Sequence, residues 1–215
     1  MFDLKVPAGH MASYYVESTS LSPHDVNEIA ALHCRSLDES FVNRLGPSFV
    51  SLLFGHIHGS RFGHLLALRE RASDHLLGHI SAATNVRKLY LEFLFANSLA
   101  ALRSFPSDWL SLSNATKLID TVSYPFRRGV VRLPPAEILT VSIAPEWRGR
   151  GLLELLFRAL EARFRDAQIA TAKIVTAGDD VRLHGFLEHR GWVRVHTLHI
   201  HPDDRASCIH VVDWR

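Results

Sequence analysis

The run Arg148-Gly-Arg-Gly151 puts two glycines and two arginines directly ahead of an apolar stretch with helical spacing. Residues of these types in this order suit the holding of a phosphate. The first turn of a helix has backbone N–H groups with no partner inside the helix, and the helix dipole adds partial positive charge there. Glycines let the backbone approach an anion and the arginines add charge, so the expected ligand is a small phosphorylated molecule. Behind the turn, Leu152, Leu153, Leu155, Leu156, Ala159, Leu160 and Phe164 form one broad apolar helical face. Ahead of it, 136–143 is rich in β-branched residues and bounded by prolines, which predicts a strand stopped by Pro145.

Two common phosphate loops do not fit. A nucleoside-triphosphate loop ends in Gly-Lys-Ser/Thr, and no such triplet follows. A dinucleotide fingerprint needs a third glycine, where this chain has Glu154. The segment does resemble motif A of the GNAT superfamily of acyl-CoA-dependent N-acetyltransferases, Arg/Gln-x-x-Gly-x-Gly/Ala. Here the motif stands as Arg148-Gly-Arg-Gly151-Leu-Leu153, with Ile143-Ala-Pro145 as its lead-in.

The resemblance is clearest from about 136 to 192. It implies acetyl-CoA as cosubstrate, a primary amine of a small molecule as acceptor, and direct attack in a ternary complex. The diphosphate would be held at Arg148, Gly149, Arg150, Gly151, Leu152 and Leu153. The pantetheine arm would pair with the backbone of Val141, Ser142 and Ile143 in a gap between two splayed central strands. Leu153 departs from the family's small residue, although backbone donors need no particular side chain.

Acetylation of an amine requires a proton acceptor, directly or through water. Glu137 is the first candidate: it lies 11 residues before Arg148, and Ala136-Glu-Ile138 resembles the strand start that carries the base in the histone-type branch. Strand alternation predicts that Glu137 shares a face with Leu139, Val141 and Ile143, deep enough to raise its pKa. A strand-end glutamate in water, or one paired with an arginine such as Arg132, is the structural alternative. The departing thiolate also needs a proton. Many relatives use a tyrosine in Phe-Tyr-Glu-x-x-Gly-Phe, but the matching stretch Phe186-Leu187-Glu-His-Arg-Gly191-Trp192 places Leu187 there. His184, one turn earlier, is the substitute candidate, with water as the alternative. Asp180, a further turn back on the same face, is grouped with the cofactor-binding residues. His79 is a weaker rival as base. Cys34 and Cys208 have no context that marks a nucleophile.

The elements that must position these groups read as follows. A strand at Tyr14–Ser18 precedes a helix capped by Ser22 with Pro23 in its first turn. A second helix runs from Asn43 or Pro47 to His58. Strands at Phe62–Leu68 and His75–Ala83 make a hairpin, with Gly78 a bulge or a point of close approach. A helical insertion spans 86–130, with helices at Leu89–Leu102 and around Ser113–Val122. After the motif strand and helix come a strand at Ala172–Ala177, a helix at Asp180–His189, and strands at Trp192–Ile200 and Ser207–Trp214. This order is that of the GNAT elements. The expected fold is α/β, a mixed twisted sheet of seven strands flanked by helices, with the insertion between strands three and four.

A chain of 215 residues with 47% hydrophobic and 21% charged residues is most simply one globular domain over 13–215. Residues 1–12 look unlike the rest; Gly9-His-Met-Ala-Ser13 resembles an expression-vector junction, a native disordered leader being the alternative. The net charge of +2 gives no footprint for a long nucleic acid. Two cysteines in no metal or redox spacing suggest a reducing compartment, and the reading is cytoplasmic. The apolar run Leu89–Leu102 is too short for stable membrane insertion. It suits core packing or a homodimer contact, with an acyl or acceptor pocket or peripheral membrane docking as alternatives. His56-x-His58 and His199-x-His201 are read as chance pairs, so no metal is expected. The rival function is an acyl-CoA-binding regulatory module with little or no catalysis.

Overall fold

The computed structural model describes residues 13–18, 20–36, 46–104, 133–198 and 206–215. Its elements are β1 (Tyr14–Glu17), α1 (Pro23–Ser36), α2 (Pro47–Gly59), β2 (Gly63–Glu70), β3 (Leu76–Ala83), α3 (Val86–Ser104), β4 (Ala136–Ile143), a 3-10 turn (Pro145–Trp147), α4 (Leu152–Asp166), β5 (Thr171–Ala177), α5 (Val181–His189), β6 (Val193–Leu198) and β7 (Ser207–Asp213). The expected leader at 1–12, the helix around Ser113–Val122, Arg132 and His199-x-His201 lie outside the described residues.

The strands form one sheet in the order β1-β2-β3-β4-β5-β7-β6. Every neighbouring pair is antiparallel except β4–β5. A parallel pair needs a long crossover, and α4 supplies it. That helix buries Leu152, Leu156, Phe157, Leu160 and Phe164 on one face of the sheet, at roughly 1.5–3 kcal/mol per side chain. They meet Leu66, Leu68, Ile80, Ile138 and Ile174 in one core. On the other face, α1 and α2 bury Val26, Ile29, Val50 and Phe54 against Leu65, Ala67 and Ala83.

Ser22 and Asp25 cap α1 reciprocally: Asp25 N donates to Ser22 Oγ at 3.2 Å, and Ser22 N donates to Asp25 Oδ2 at 2.7 Å. Arg69 then fixes the helix to β2, donating to Asp25 Oδ1 at 2.6 Å and Glu28 Oε2 at 2.9 Å. Gly78 is a point of close approach, because a Cβ there would stand 2.7 Å from Ser142 O. In the insertion, α3 sets Phe93 edge-on against Phe49 and His56 of α2, while Phe95 on its outer side is 87% exposed.

β4 is not a regular strand. Opposite it, Ser81 pairs with Thr140 but the next residue, Ala82, pairs with Ile138, so Leu139 is an extra residue in a β-bulge. The bulge overturns the expected alternation. Glu137, opposite Ala83, lies on the α1–α2 side, whereas Val141 and Ile143 join the α4 core. Thr140 and Ser142 take the α1–α2 side with their partners Ser81 and His79.

Candidate functional site

The parallel pairing of β4 with β5 covers three rungs, Ala136–Ala172, Glu137–Lys173 and Ile138–Ile174, and stops. Among the described residues the β5-facing edge of β4 from Leu139 to Ile143 has no strand partner, although β5 runs on to Ala177, so the ladder opens into a cleft between the two strands. The expected Val141, Ser142 and Ile143 all fall on this stretch.

At the end of the stretch the chain turns through Pro145–Trp147 into the glycine turn. Gly149 and Gly151 have φ of 77° and 74°, values that L side chains adopt at a cost. Gly151 is the N-cap of α4, and no side chain caps that end. Glu154 N donates to Gly151 O at 3.1 Å, and no side chain competes for the N–H groups ahead of it. Both arginines have contacts within the protein. Arg148 Nε donates to Ile143 O at 3.1 Å and its other end to Ser36 O at 3.0 Å, tying the strand end to the end of α1. Arg150 lies over the Trp147 ring, 4.4 Å from its centroid. Leu152 is buried and Leu153 packs against the α4 core, so neither side chain blocks the turn.

Glu137 is 7% exposed and sits at the closed end of the cleft, with Lys173 Nζ 2.8 Å from its Oε2. Lys173 also donates to Pro134 O at 2.9 Å. Burial raises the pKa of Glu137, and the nearby ammonium opposes part of that rise. The sequence reading missed Lys173. A lysine inside the apolar run Ala172-Lys-Ile-Val175 was the available signal, since a buried lysine requires a partner.

On the far wall, His184 is buried between Thr176 and Arg194. Its Nε2 lies 2.9 Å from Thr176 Oγ1 and its Nδ1 accepts from Arg194 at 3.1 Å. The second bond fixes the neutral tautomer with Nε2 protonated. Asp180 caps α5, its Oδ1 accepting from Leu183 N at 3.0 Å. Leu187 is fully buried in the α4 core. Arg190 clasps the two helices, bonded to Glu154 and, at 2.6 Å, to Glu161 of α4. The cysteines do not approach this arrangement as reactive thiols: burial raises the pKa of Cys34, and Cys208 is buried in β7.

Among the described residues, His24, Asp25 and Glu28 form the one group with metal-ligand spacing, and both carboxylates are bonded to Arg69. Among the same residues no helix is long and apolar enough to cross a membrane.

Two histidines behind β4 bear on stability. His33 and His79 are 1% and 0% exposed. Burial holds His33 at about 4 against an ordinary 6.5, and drives His79 well below its ordinary range, with His33 adding to the effect. The folded state therefore binds fewer protons than the unfolded one. His33's contribution is complete above pH 6.5 and is lost as pH falls toward 4, an effect on the order of 3 kcal/mol. Urea melts should show the wild type losing stability over that window and His33→Gln losing less; equal slopes would contradict it.

A seven-stranded mixed sheet, split beyond a short parallel pair and followed by an uncapped glycine turn, is the fold of the GNAT acetyltransferases. No known family's sequence pattern and no curated protein matches the chain. Solved structures do. SsHAT superposes with a TM-score of 0.69 at 14% identity, over 94% of this chain and 99% of its own. The spermidine/spermine N-acetyltransferase SpeG of Vibrio cholerae gives 0.58 at 13% identity, over 94% and 95%. The ribosomal-protein-S18-alanine N-acetyltransferase of Escherichia coli gives 0.57 at 10% identity, over 93% of each chain. At such identities the likeness establishes the fold.

Proposed function

We propose that this protein is an N-acetyltransferase that moves an acetyl group from acetyl-CoA to a primary amine of a small molecule. The observation that carries the reading is the continuity of the cleft: the open edge of β4 from Leu139 to Ile143 leads into the uncapped start of α4 at Gly151. An amide-bearing chain ending in a diphosphate matches both parts, the amides pairing along the edge and the diphosphate accepting from the first-turn N–H groups. The amine attacks the thioester carbon in a ternary complex. Glu137 takes the amine proton through water, and its raised pKa brings it closer to the range of an effective base. Leu187 is buried and the His184 ring is engaged on both sides, so water protonates the departing thiolate, whose thiol has a pKa near 8.5.

The buried Leu187 also favours a second reading, an acyl-CoA-binding module without turnover. Calorimetry with coenzyme A, together with thiol release from acetyl-CoA over a panel of amines, separates the two. Binding with turnover supports the enzyme, binding without turnover on any amine supports the module, and no binding removes both. Gly151→Val forces a branched residue into the positive-φ cap and places methyl groups beside the diphosphate. It should weaken coenzyme A binding about tenfold or more; unchanged affinity would place the diphosphate elsewhere.

A further inference from the structure

A string of polar side chains runs behind β4 and comes to the surface at one residue. Thr140 Oγ1 lies 2.7 Å from Ser81 Oγ and 3.4 Å from His79 Nε2. His79 Nε2 in turn lies 3.4 Å from His33 Nδ1. Ser81, His79 and His33 are each 0–1% exposed, and Thr140 is the one partly exposed member. Around them the layer is apolar: the Phe54 ring is 5.2 Å from that of His33 and 5.3 Å from that of His79. Apolar residues here would avoid the desolvation cost that this string incurs. Thr140 is also the residue after the bulge, at the beginning of the open edge of β4.

A threonine hydroxyl has one proton and two lone pairs, and the bond between Thr140 and Ser81 can run in either direction. His79 Nε2 has His33 Nδ1 as a second neighbour, so the string has more than one proton arrangement. Where Thr140 donates inward, to His79 Nε2 or to Ser81 Oγ, one of its lone pairs is left outward.

We propose that Thr140 is the contact that positions the acceptor amine, its Oγ1 accepting an N–H of the nucleophile while the nitrogen lone pair faces the thioester carbon. The assignment rests on the acetyl-transfer reading above. It makes Ser81 and His79 positioning residues that act through Thr140.

Thr140→Val keeps the shape and removes the acceptor. With the amine that the wild type acetylates fastest, kcat/KM for the amine should fall about ten- to hundredfold, with coenzyme A affinity by calorimetry unchanged. Thr140→Ser should return it to within a few-fold of wild type. Equal kcat/KM for Thr140→Val and wild type overturns the contact and leaves the acetyltransferase reading standing. Loss of coenzyme A affinity in Thr140→Val also overturns it, by assigning the hydroxyl to the cofactor side. A wild type that binds coenzyme A but acetylates no amine overturns both.

Discussion

Glu137→Gln should lower kcat by about 10²–10⁴-fold, the range that a positioned general base contributes. The glutamine keeps the shape and one hydrogen-bonding oxygen toward Lys173 but cannot take a proton. Because burial raises the pKa of Glu137, the acid limb of the wild-type rate should lie above the ordinary carboxylate range. The rate needs the carboxylate, so activity rises with pH through that pKa, and the variant should lack the limb. Rate–pH profiles of both proteins check this, with coenzyme A affinity as the control for folding. Kinetics unchanged across pH would remove Glu137 from the mechanism.

The partner of Glu137 gives the larger effect on stability. Lys173 and Glu137 are 4% and 7% exposed, and their charged atoms are 2.8 Å apart. Lys173→Met leaves the carboxylate buried without a counter-charge, a change that typically costs about 3–5 kcal/mol. The ammonium also holds the Glu137 pKa below the level that burial alone would set. Its loss should therefore move the acid limb to higher pH. Two measurements follow, the urea midpoint at neutral pH and the rate–pH profile. A variant as stable as wild type with an unmoved limb would mean that the pair is not coupled in solution.

Much of the frame was legible because its signals are local. β4 ends where the prolines bound it, and α4 begins at the glycine turn, where backbone freedom and helix periodicity change together. The Ser22 cap and the close approach at Gly78 follow from residue types with few other uses. The bulge was not legible. Ile138 and Leu139 are adjacent apolar residues, so the pattern allows either phase, and only pairing with β3 decides which face Val141 takes. For the same reason the pattern groups Glu137 with Val141 and Ile143, which take the opposite face, as well as with Leu139, which does share its side. The partner of Glu137 lies 36 positions along the chain, across the parallel pair, where spacing within a single strand carries no information. The His184 ring is enclosed because Thr176 and Arg194 approach it from β5 and β6, contacts that no spacing within its own helix announces.

The three parallel rungs have a mechanical consequence. They are the sheet's own link between a four-stranded antiparallel plate, β1 to β4, and a three-stranded one, β5 to β7. Beyond them β4 and β5 are no longer paired, so the two plates are joined within the sheet by these rungs alone among the described residues. The Glu137–Lys173 pair occupies the middle rung. The same two residues thus join the two halves of the sheet and hold its buried charge pair.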